Sequence, residues 1–211
     1  MPSTSAPFGF VPSYHPSGEM KAVAHTGILL PGTNVQISKF QPVAIAIGTG
    51  VAVNGVTVAT GQAYLAPVVA NSVDFWGVFA GCEYFDATGK PTESNYWPAS
   101  QTCLAGTMVT AWIWEDPAIV YEAQVDGSIA IGGSAIAQLD GKQTNISNFT
   151  ANGSGLSQAT LSASLVATGA QGQFTILKLS PSVLNQSVAD AFPVVQCAIA
   201  RQTLHANKVS I

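Results

Sequence analysis

Most residues that could carry chemistry lie in the middle of the chain, between positions 76 and 126. Seven of the eleven acidic residues fall there, with Lys90 as the one basic residue among them: Glu83, Asp86, Glu93, Glu115, Asp116, Glu122 and Asp126. The aromatic residues of this region include all four tryptophans: Trp76, Tyr84, Tyr96, Trp97, Trp112, Trp114 and Tyr121. Aromatic faces beside carboxylates can bind sugars, and two carboxylates at a suitable separation can hydrolyse a glycosidic bond.

The spacing of these residues favours a structural use over catalysis. Trp112 and Trp114 are two apart on a predicted strand and therefore share one face, which is most simply a core or an interface. We treat Tyr96, Trp97 and this pair as candidates for an aromatic interface or a glycan contact. Glu115 and Asp116 are adjacent and point to opposite faces of a strand, which does not suit an acid/base pair. We therefore do not expect an enzyme.

Recognisable catalytic and metal-binding motifs are missing from the sequence. It contains no GxSxG, HExxH, P-loop or GxGxxG pattern. His15, His25 and His205 are far apart in sequence, and no spacing suggests that they converge on a metal. The segment DATGKPTE, residues 86–93, could wrap a calcium ion, but a hydrated hairpin tip is the simpler interpretation. We predict no catalytic residue, no metal and no cofactor.

The N-terminal stretch SAPFGFVPSYHP combines prolines with aromatic residues. Its prolines fix φ and push the preceding residues towards extended conformations, which excludes a helix. Residues 1–25 are therefore predicted to form an extended N-terminal arm. An extended strip cannot bury its apolar side chains against itself, so it needs the surface of its own domain or of a neighbour. The candidate interface residues are Phe8, Phe10, Val11, Tyr14 and His15.

Composition indicates a protein that works within an assembly. Only 9% of the residues are charged, against about 25% in ordinary soluble domains. A surface so poor in charge has little protection against association. The scattered basic residues argue against nucleic-acid binding. No run of 18 apolar residues predicts a membrane span, and no secretory signal is visible after Met1. Three widely spaced cysteines are read as buried free thiols.

The chain beyond residue 25 has a β pattern. VAVNGVTVA, residues 51–59, predicts a hairpin, because Asn-Gly tolerates the positive φ angles of a two-residue turn. Alternating segments recur every 8–12 residues, and Gly77 and Gly81 predict bends or bulges in one of them. We predict a long turn over residues 87–95, a polar loop over 144–155 and a short helix over 181–192. Residues 26–211 are thus expected to form one antiparallel β-sandwich or barrel, jelly-roll-like in type.

Four segments together resemble structural proteins of tailed bacteriophages, of the capsid decoration or cement type. They are SAPFGFVPSYHPSG, GVFAGCEYFDATGKPTESNYWPA, WIWEDPAIVYEAQVDGS and ANKVSI. The resemblance implies a β-rich protein without catalytic residues on the outer capsid surface of the virion, often a trimer at local threefold axes. It also implies the major capsid protein and further copies of the chain as partners, and synthesis in the cytoplasm of the host bacterium.

Two alternatives stay open beside that expectation. The chain could be a carbohydrate-binding β module, free or displayed on a virion, that uses the aromatic and acidic middle region. It could also occupy another position in the virion, such as the collar, the tail or the baseplate. In the decoration hypothesis, the aromatic residues of the arm anchor it to a neighbouring subunit.

Overall fold

A computed structural model describes residues 4–26, 29, 35–48, 50, 52–53, 56–57, 59–68, 75–129, 139–181 and 190–202. Every regular element within these ranges is a β-strand, and every pairing between strands is antiparallel. The strands are, in chain order, β1 Val11–Tyr14, β2 Val23–Thr26, β3 Pro42–Ile47, β4 Ala52–Val53, β5 Val56–Thr57, β6 Ala63–Pro67, β7 Phe75–Phe85, β8 Pro91–Ser94, β9 Thr110–Trp114, β10 Val120–Gln124, β11 Gln143–Asn148, β12 Thr160–Leu165, β13 Phe174–Leu179 and β14 Val194–Ile199.

Two sheets pack together, which confirms the predicted mainly β sandwich. The first sheet has the order β1-β10-β14-β13-β11-β12. It curls on itself, because the Asp126 N–H just after β10 donates to the Leu161 carbonyl of β12 at 2.9 Å. The second sheet has the order β2-β9-β7-β3-β6, with β8 paired to β7. β4 and β5 form a separate hairpin in which Val53 pairs with Val56, as Asn-Gly between them predicts.

Two apolar clusters hold this architecture together, one on each face of the second sheet. The first lies between the sheets and joins Phe75 and Val78 of β7 to Tyr121, Phe174 and other residues of the first sheet. The second contains Trp76 and Phe79, which are neighbours of those β7 residues and point to the opposite face. It is covered by connecting segments that contribute buried side chains: Leu29, Ile37, Trp97, Cys103 and Val109.

The N-terminal segment belongs to both sheets, so a separate extended arm is not confirmed. β1 is an edge strand of the first sheet, where Val11 pairs with Glu122 of β10. β2 is an edge strand of the second sheet, where Val23 pairs with Ile113 of β9. Further upstream, the Gln124 side chain accepts a hydrogen bond from the Ala6 N–H at 2.9 Å. The strip therefore uses the surface of its own domain.

Phe10 requires a correction to the predicted interface. Its side chain is fully buried in the first cluster, where its ring stacks on Phe174 with centroids 4.4 Å apart. The Phe10 N–H also donates to the Phe40 carbonyl at 2.9 Å. A residue enclosed in this way stabilises its own domain and is not available as an anchor on another subunit.

The long strand β7 carries the two irregularities that its glycines predict. Its register against β3 shifts beside Gly77, and its register against β9 shifts between Phe79 and Gly81. A Cβ atom at Gly77 would overlap the Trp114 carbonyl oxygen, and one at Gly81 would lie 2.9 Å from the Ser94 carbonyl oxygen. Both positions therefore need glycine because neighbouring backbone approaches closely.

Three predictions about connecting segments have different outcomes. The polar loop over residues 144–155 is wrong in its first part, because residues 143–148 form β11. The turn over residues 87–95 is shorter than predicted, because residues 91–94 form β8. The helix over residues 181–192 lies mostly outside the described residues. In the described part of the chain, no helix has the length and apolar character that crossing a bilayer requires.

All three cysteines are buried thiols and none forms a disulfide, as the sequence predicts. Burial raises the pKa of the Cys82 thiol to about 12 and the pKa of the Cys103 thiol to about 11, and it also raises the pKa of the Cys197 thiol. Because only the thiolate is nucleophilic, burial protects these thiols from reaction in two ways: it blocks the approach of reagents, and it keeps the thiols protonated.

We expect no thiol to react with an aromatic disulfide reagent at about pH 8 while the protein is folded. All three should react after denaturation, as measured by absorbance of the released thiolate. Because the folded thiols keep their protons, stability should fall as the pH rises above the ordinary thiol pKa of 9.0 towards the raised values. One thiol that reacts fully in the native protein would contradict this burial.

Candidate functional site

The N-terminal segment crosses from the first sheet to the second beside the connection between β9 and β10. Because β1 pairs with β10 and β2 with β9, residues 15–22 run next to residues 115–119. A hollow of about 390 Å³ lies between these two connections. We call it, with residues 14–24, the N-terminal corner. The hollow is lined by His15, Ser17, Glu19, Lys21, Val23, Glu115, Asp116, Pro117 and Ile119.

Apolar side chains at the N-terminal corner are open to solvent. Within residues 14–24, every position except His15 and Ala22 is exposed. Tyr14 is 41% exposed, and Met20 and Val23 are each 39% exposed. Several large apolar side chains exposed along one short segment are typical of a contact surface, whereas single exposed ones are ordinary.

Histidine–carboxylate contacts fix the shape of the N-terminal corner. His15 Nε2 lies 3.3 Å from Asp116 Oδ2, and His15 Nδ1 accepts a hydrogen bond from the Ser17 N–H at 3.1 Å. The other Asp116 oxygen accepts from the Ala118 N–H at 2.8 Å. These bonds hold the turn after β1 against the connection that leads into β10.

Glu115 performs a similar structural task on the other side of the corner. Its Oε2 atom accepts hydrogen bonds from Trp76 Nε1 and contacts His25 Nε2, both at 2.9 Å. The His25 ring also packs edge-on against Trp76 at 4.9 Å between centroids. Glu115 therefore ties the edge strand β2 to β7, and it shares no partner with Asp116. The two carboxylates have separate structural contacts. Both follow the end of β9 at Trp114 and line the same hollow, so the predicted orientation to opposite faces of a strand does not apply.

The predicted interface residues have different environments in the structure. Tyr14 is exposed, and His15 lines the hollow of the N-terminal corner. Phe8 and Val11 are half-buried against the domain, and Phe10 is in the core. Sequence reasoning missed Met20 and Val23, which complete the exposed apolar set. Their local signal was weak, because a methionine and a valine in a short segment do not distinguish an edge strand from a core strand.

The aromatic candidates of the middle region are also separated. Trp97 is fully buried and packs edge-on against Tyr84. Trp114 stacks on Phe40, 5.7 Å away, and packs against the cluster between the sheets. The Tyr96 ring lies against Gly155, where a Cβ atom would overlap it. Trp112 lines a surface hollow of about 290 Å³.

The segment considered for calcium folds as a hairpin tip. Asp86 Oδ1 accepts hydrogen bonds from the N–H and hydroxyl of Thr88 and from the Lys90 N–H, at 2.8, 2.6 and 3.0 Å. The Thr88 hydroxyl and these backbone donors lower the pKa of Asp86. Its carboxylate therefore closes the β7–β8 turn. Among the described residues, no three His, Cys, Asp or Glu side chains are arranged to hold a metal ion.

No protein family matches this chain, and neither a curated protein nor a solved structure shows significant similarity to it. A β-sandwich supports many unrelated functions, so the fold does not specify one. Among the described residues, the N-terminal corner and the hollow beside Trp112 are the surface features from which we infer function.

Proposed function

We propose that this chain is a structural virion protein of the capsid decoration type. It binds the outer surface of a tailed-phage capsid and stabilises contacts between capsomers. The observation that carries this proposal is the exposed apolar set of the N-terminal corner, Tyr14, Met20 and Val23. Val23 also lines the hollow of about 390 Å³. The resemblance of the N-terminal segment to decoration proteins supports the same assignment.

The low charge of the chain supports a surface that is covered by partners. With only 18 charged residues of acidic or basic type in 211, repulsion between copies and neighbours is weak. Burying a fully exposed methionine or valine side chain contributes about 1.5–3 kcal/mol, and Met20 and Val23, each 39% exposed, can contribute part of that amount. The exposed apolar set therefore supplies a useful contact energy once the capsid surface covers it.

The charges around the hollow indicate the chemistry of the partner surface. Glu19, Glu115 and Asp116 line it together with one lysine, Lys21. Three carboxylates against one ammonium group favour a basic or hydrogen-bond-donating segment of the major capsid protein. Complementary charge chiefly sets the orientation and rate of docking, while the exposed apolar set supplies affinity.

Modest affinity at each corner suffices when several copies bind together. A homotrimer at a local threefold axis would engage three corners at once, and the second and third contacts become intramolecular. We therefore propose self-association as well as the major capsid protein as a partner. Synthesis in the host cytoplasm and final location on the virion surface follow from this role.

The docking surface can be tested with capsids of the encoding phage assembled without this chain. Replacing both Met20 and Val23 by aspartate should weaken binding about tenfold or more, because two apolar contacts become buried carboxylates. The measurement is the amount of protein that co-sediments with the shells over a concentration series.

A matched control uses Leu156, which is 40% exposed and lies outside the N-terminal corner. Leu156→Asp should bind the shells like the unmodified protein. The proposal is overturned if the Met20 and Val23 variant binds as well as this control. Retained binding to tails rather than to heads would assign the chain to another part of the virion.

A further inference from the structure

The second sheet has a portion that the first sheet does not cover, and Trp112 lies on it. Directly paired residues share one face of a sheet, and the pairs here are Gly81 with Trp112, Glu83 with Thr110, and Glu83 with Glu93. Cys82 and Tyr84, which alternate with them, point into the buried cluster on the opposite side. We call this uncovered portion the open face.

The hollow on the open face combines one aromatic ring with polar groups. It has a volume of about 290 Å³ and is lined by Ala80, Gly81, Glu93, Ser94, Asn95 and Trp112. Trp112 is half-buried, and its ring edge lies 3.5 Å from where a Cβ atom at Gly81 would be. The indole therefore lies close beside the backbone of β7 at Gly81.

From this arrangement we infer that the open face binds a neutral glycan through Trp112, Asn95 and Glu93. A sugar ring has an apolar face that can lie on an indole, and a rim of hydroxyl groups. The Asn95 amide can both donate and accept hydrogen bonds, and the Glu93 carboxylate can accept from two hydroxyls. The volume of the hollow is close to the lower end of small-ligand sites, about 300–1,000 Å³.

The charge of the open face selects among glycans. Glu83 and Glu93 are both exposed and directly opposite one another, and neither has an ionic partner among the described residues. Two unneutralised carboxylates repel uronic acids and other anionic sugars. They therefore weaken the binding of anionic glycans, while the Glu93 carboxylate accepts hydrogen bonds from a neutral one. A cationic ligand is less favoured, because its recognition usually uses several aromatic rings and the hollow has one.

Glycan binding goes beyond capsid docking and uses a different surface. Trp112 shares its face with the paired Ala24, whereas Val23 of the N-terminal corner is paired with Ile113 on the opposite face. Ala24 is the last residue of the N-terminal corner, so a subunit docked through Val23 and the hollow can keep the open face free, and a failure of one proposal leaves the other intact.

The test is calorimetric titration of the intact protein with neutral tetrasaccharides: maltotetraose, cellotetraose, chitotetraose and mannotetraose. At least one should bind at micromolar to millimolar concentration, and tetragalacturonate should not. Trp112→Ala should weaken that binding about tenfold or more. Tyr14→Ala, which removes an exposed aromatic ring from the other sheet, should leave it unchanged.

A second variant tests the role of the carboxylates. Replacing Glu83 by glutamine removes one of the two charges and leaves the proposed contact Glu93 in place, so binding of tetragalacturonate should become detectable while binding of the neutral glycan is unchanged. The inference is overturned if no neutral tetrasaccharide binds at millimolar concentration, or if Trp112→Ala binds as well as the unmodified protein. Preferential binding of a trimethyl-lysine peptide would overturn it as well, in favour of a cation site.

Discussion

Replacing Phe10 by alanine is expected to lower the free energy of unfolding by about 3–5 kcal/mol. The Phe10 ring is fully buried and stacks on Phe174, which in turn packs edge-on against Phe75 of the second sheet. Removing it leaves a cavity at the place where the N-terminal segment and both sheets meet. Urea unfolding followed by tryptophan fluorescence measures the loss.

Phe8→Ala is the matched control for this prediction. Phe8 has the same side chain two residues away but is only half-buried, so Phe8→Ala should lower the free energy of unfolding clearly less than Phe10→Ala does. If the free energy of unfolding of Phe10→Ala were within about 1 kcal/mol of that of the unmodified protein, the N-terminal segment would not be part of the core. For the same reason we expect deletion of residues 1–16 to destabilise the domain, because it removes β1 and Phe10, so this deletion does not by itself test capsid docking.

Trp97→Ala is expected to cost a similar amount, about 3–5 kcal/mol, although Trp97 lies among candidate glycan contacts in the sequence. The Trp97 side chain is fully buried in the second cluster and packs edge-on against Tyr84 at 5.2 Å. Its backbone N–H and carbonyl both bond to Ile37, which holds the covering segment in place. The equilibrium unfolding midpoint and slope in urea give the change.

Trp97→Phe separates packing from hydrogen bonding at this site. The Trp97 Nε1 atom is buried and has no hydrogen-bond partner among the described residues. Phenylalanine keeps much of the apolar volume and removes this unpaired donor, so it should cost far less than alanine. An equal loss for both variants would show that the indole N–H is bonded in the folded protein. Trp112→Ala, on the open face, should change the free energy of unfolding less than Phe10→Ala or Trp97→Ala does.

The strands were predictable because their sequences carry a period of two. Ile45 and Ile47 in β3, and Ala111 and Ile113 in β9, alternate with residues of the other face, as a pleated strand requires. The hairpin of β4 and β5 followed from a two-residue Asn-Gly turn. In each case the determining interaction is local, so a short window of sequence contains it.

The strand β11 was missed because its composition is polar. Gln143 and Thr144 are buried, and their side chains are satisfied by distant partners: the Thr144 hydroxyl donates to the Ser162 carbonyl at 2.6 Å. Buried polar groups of this kind are stable when each finds a partner. Those partners lie on other strands, so local hydrophobicity could not reveal the burial.

The position of the N-terminal segment was unpredictable for the same reason. Its partner strand β10 begins more than a hundred residues later, at Val120. The sequence correctly showed that an apolar strip needs a surface, but only the fold determines that the surface is its own domain. For the candidate site, residue type singled out Tyr14 and Trp112. Which of Trp97 and Trp112 is buried depends on the strand register and on how far the first sheet extends over the second. Residue type alone does not reveal either.

The most direct test of the docking proposal is an electron cryo-microscopy map of the particle. We predict density for this chain on the outer face of the capsid, with residues 14–24 in contact with the major capsid protein and three copies around each local threefold axis. A map in which the N-terminal corner faces solvent, or in which the chain is absent from the head, would contradict the proposal.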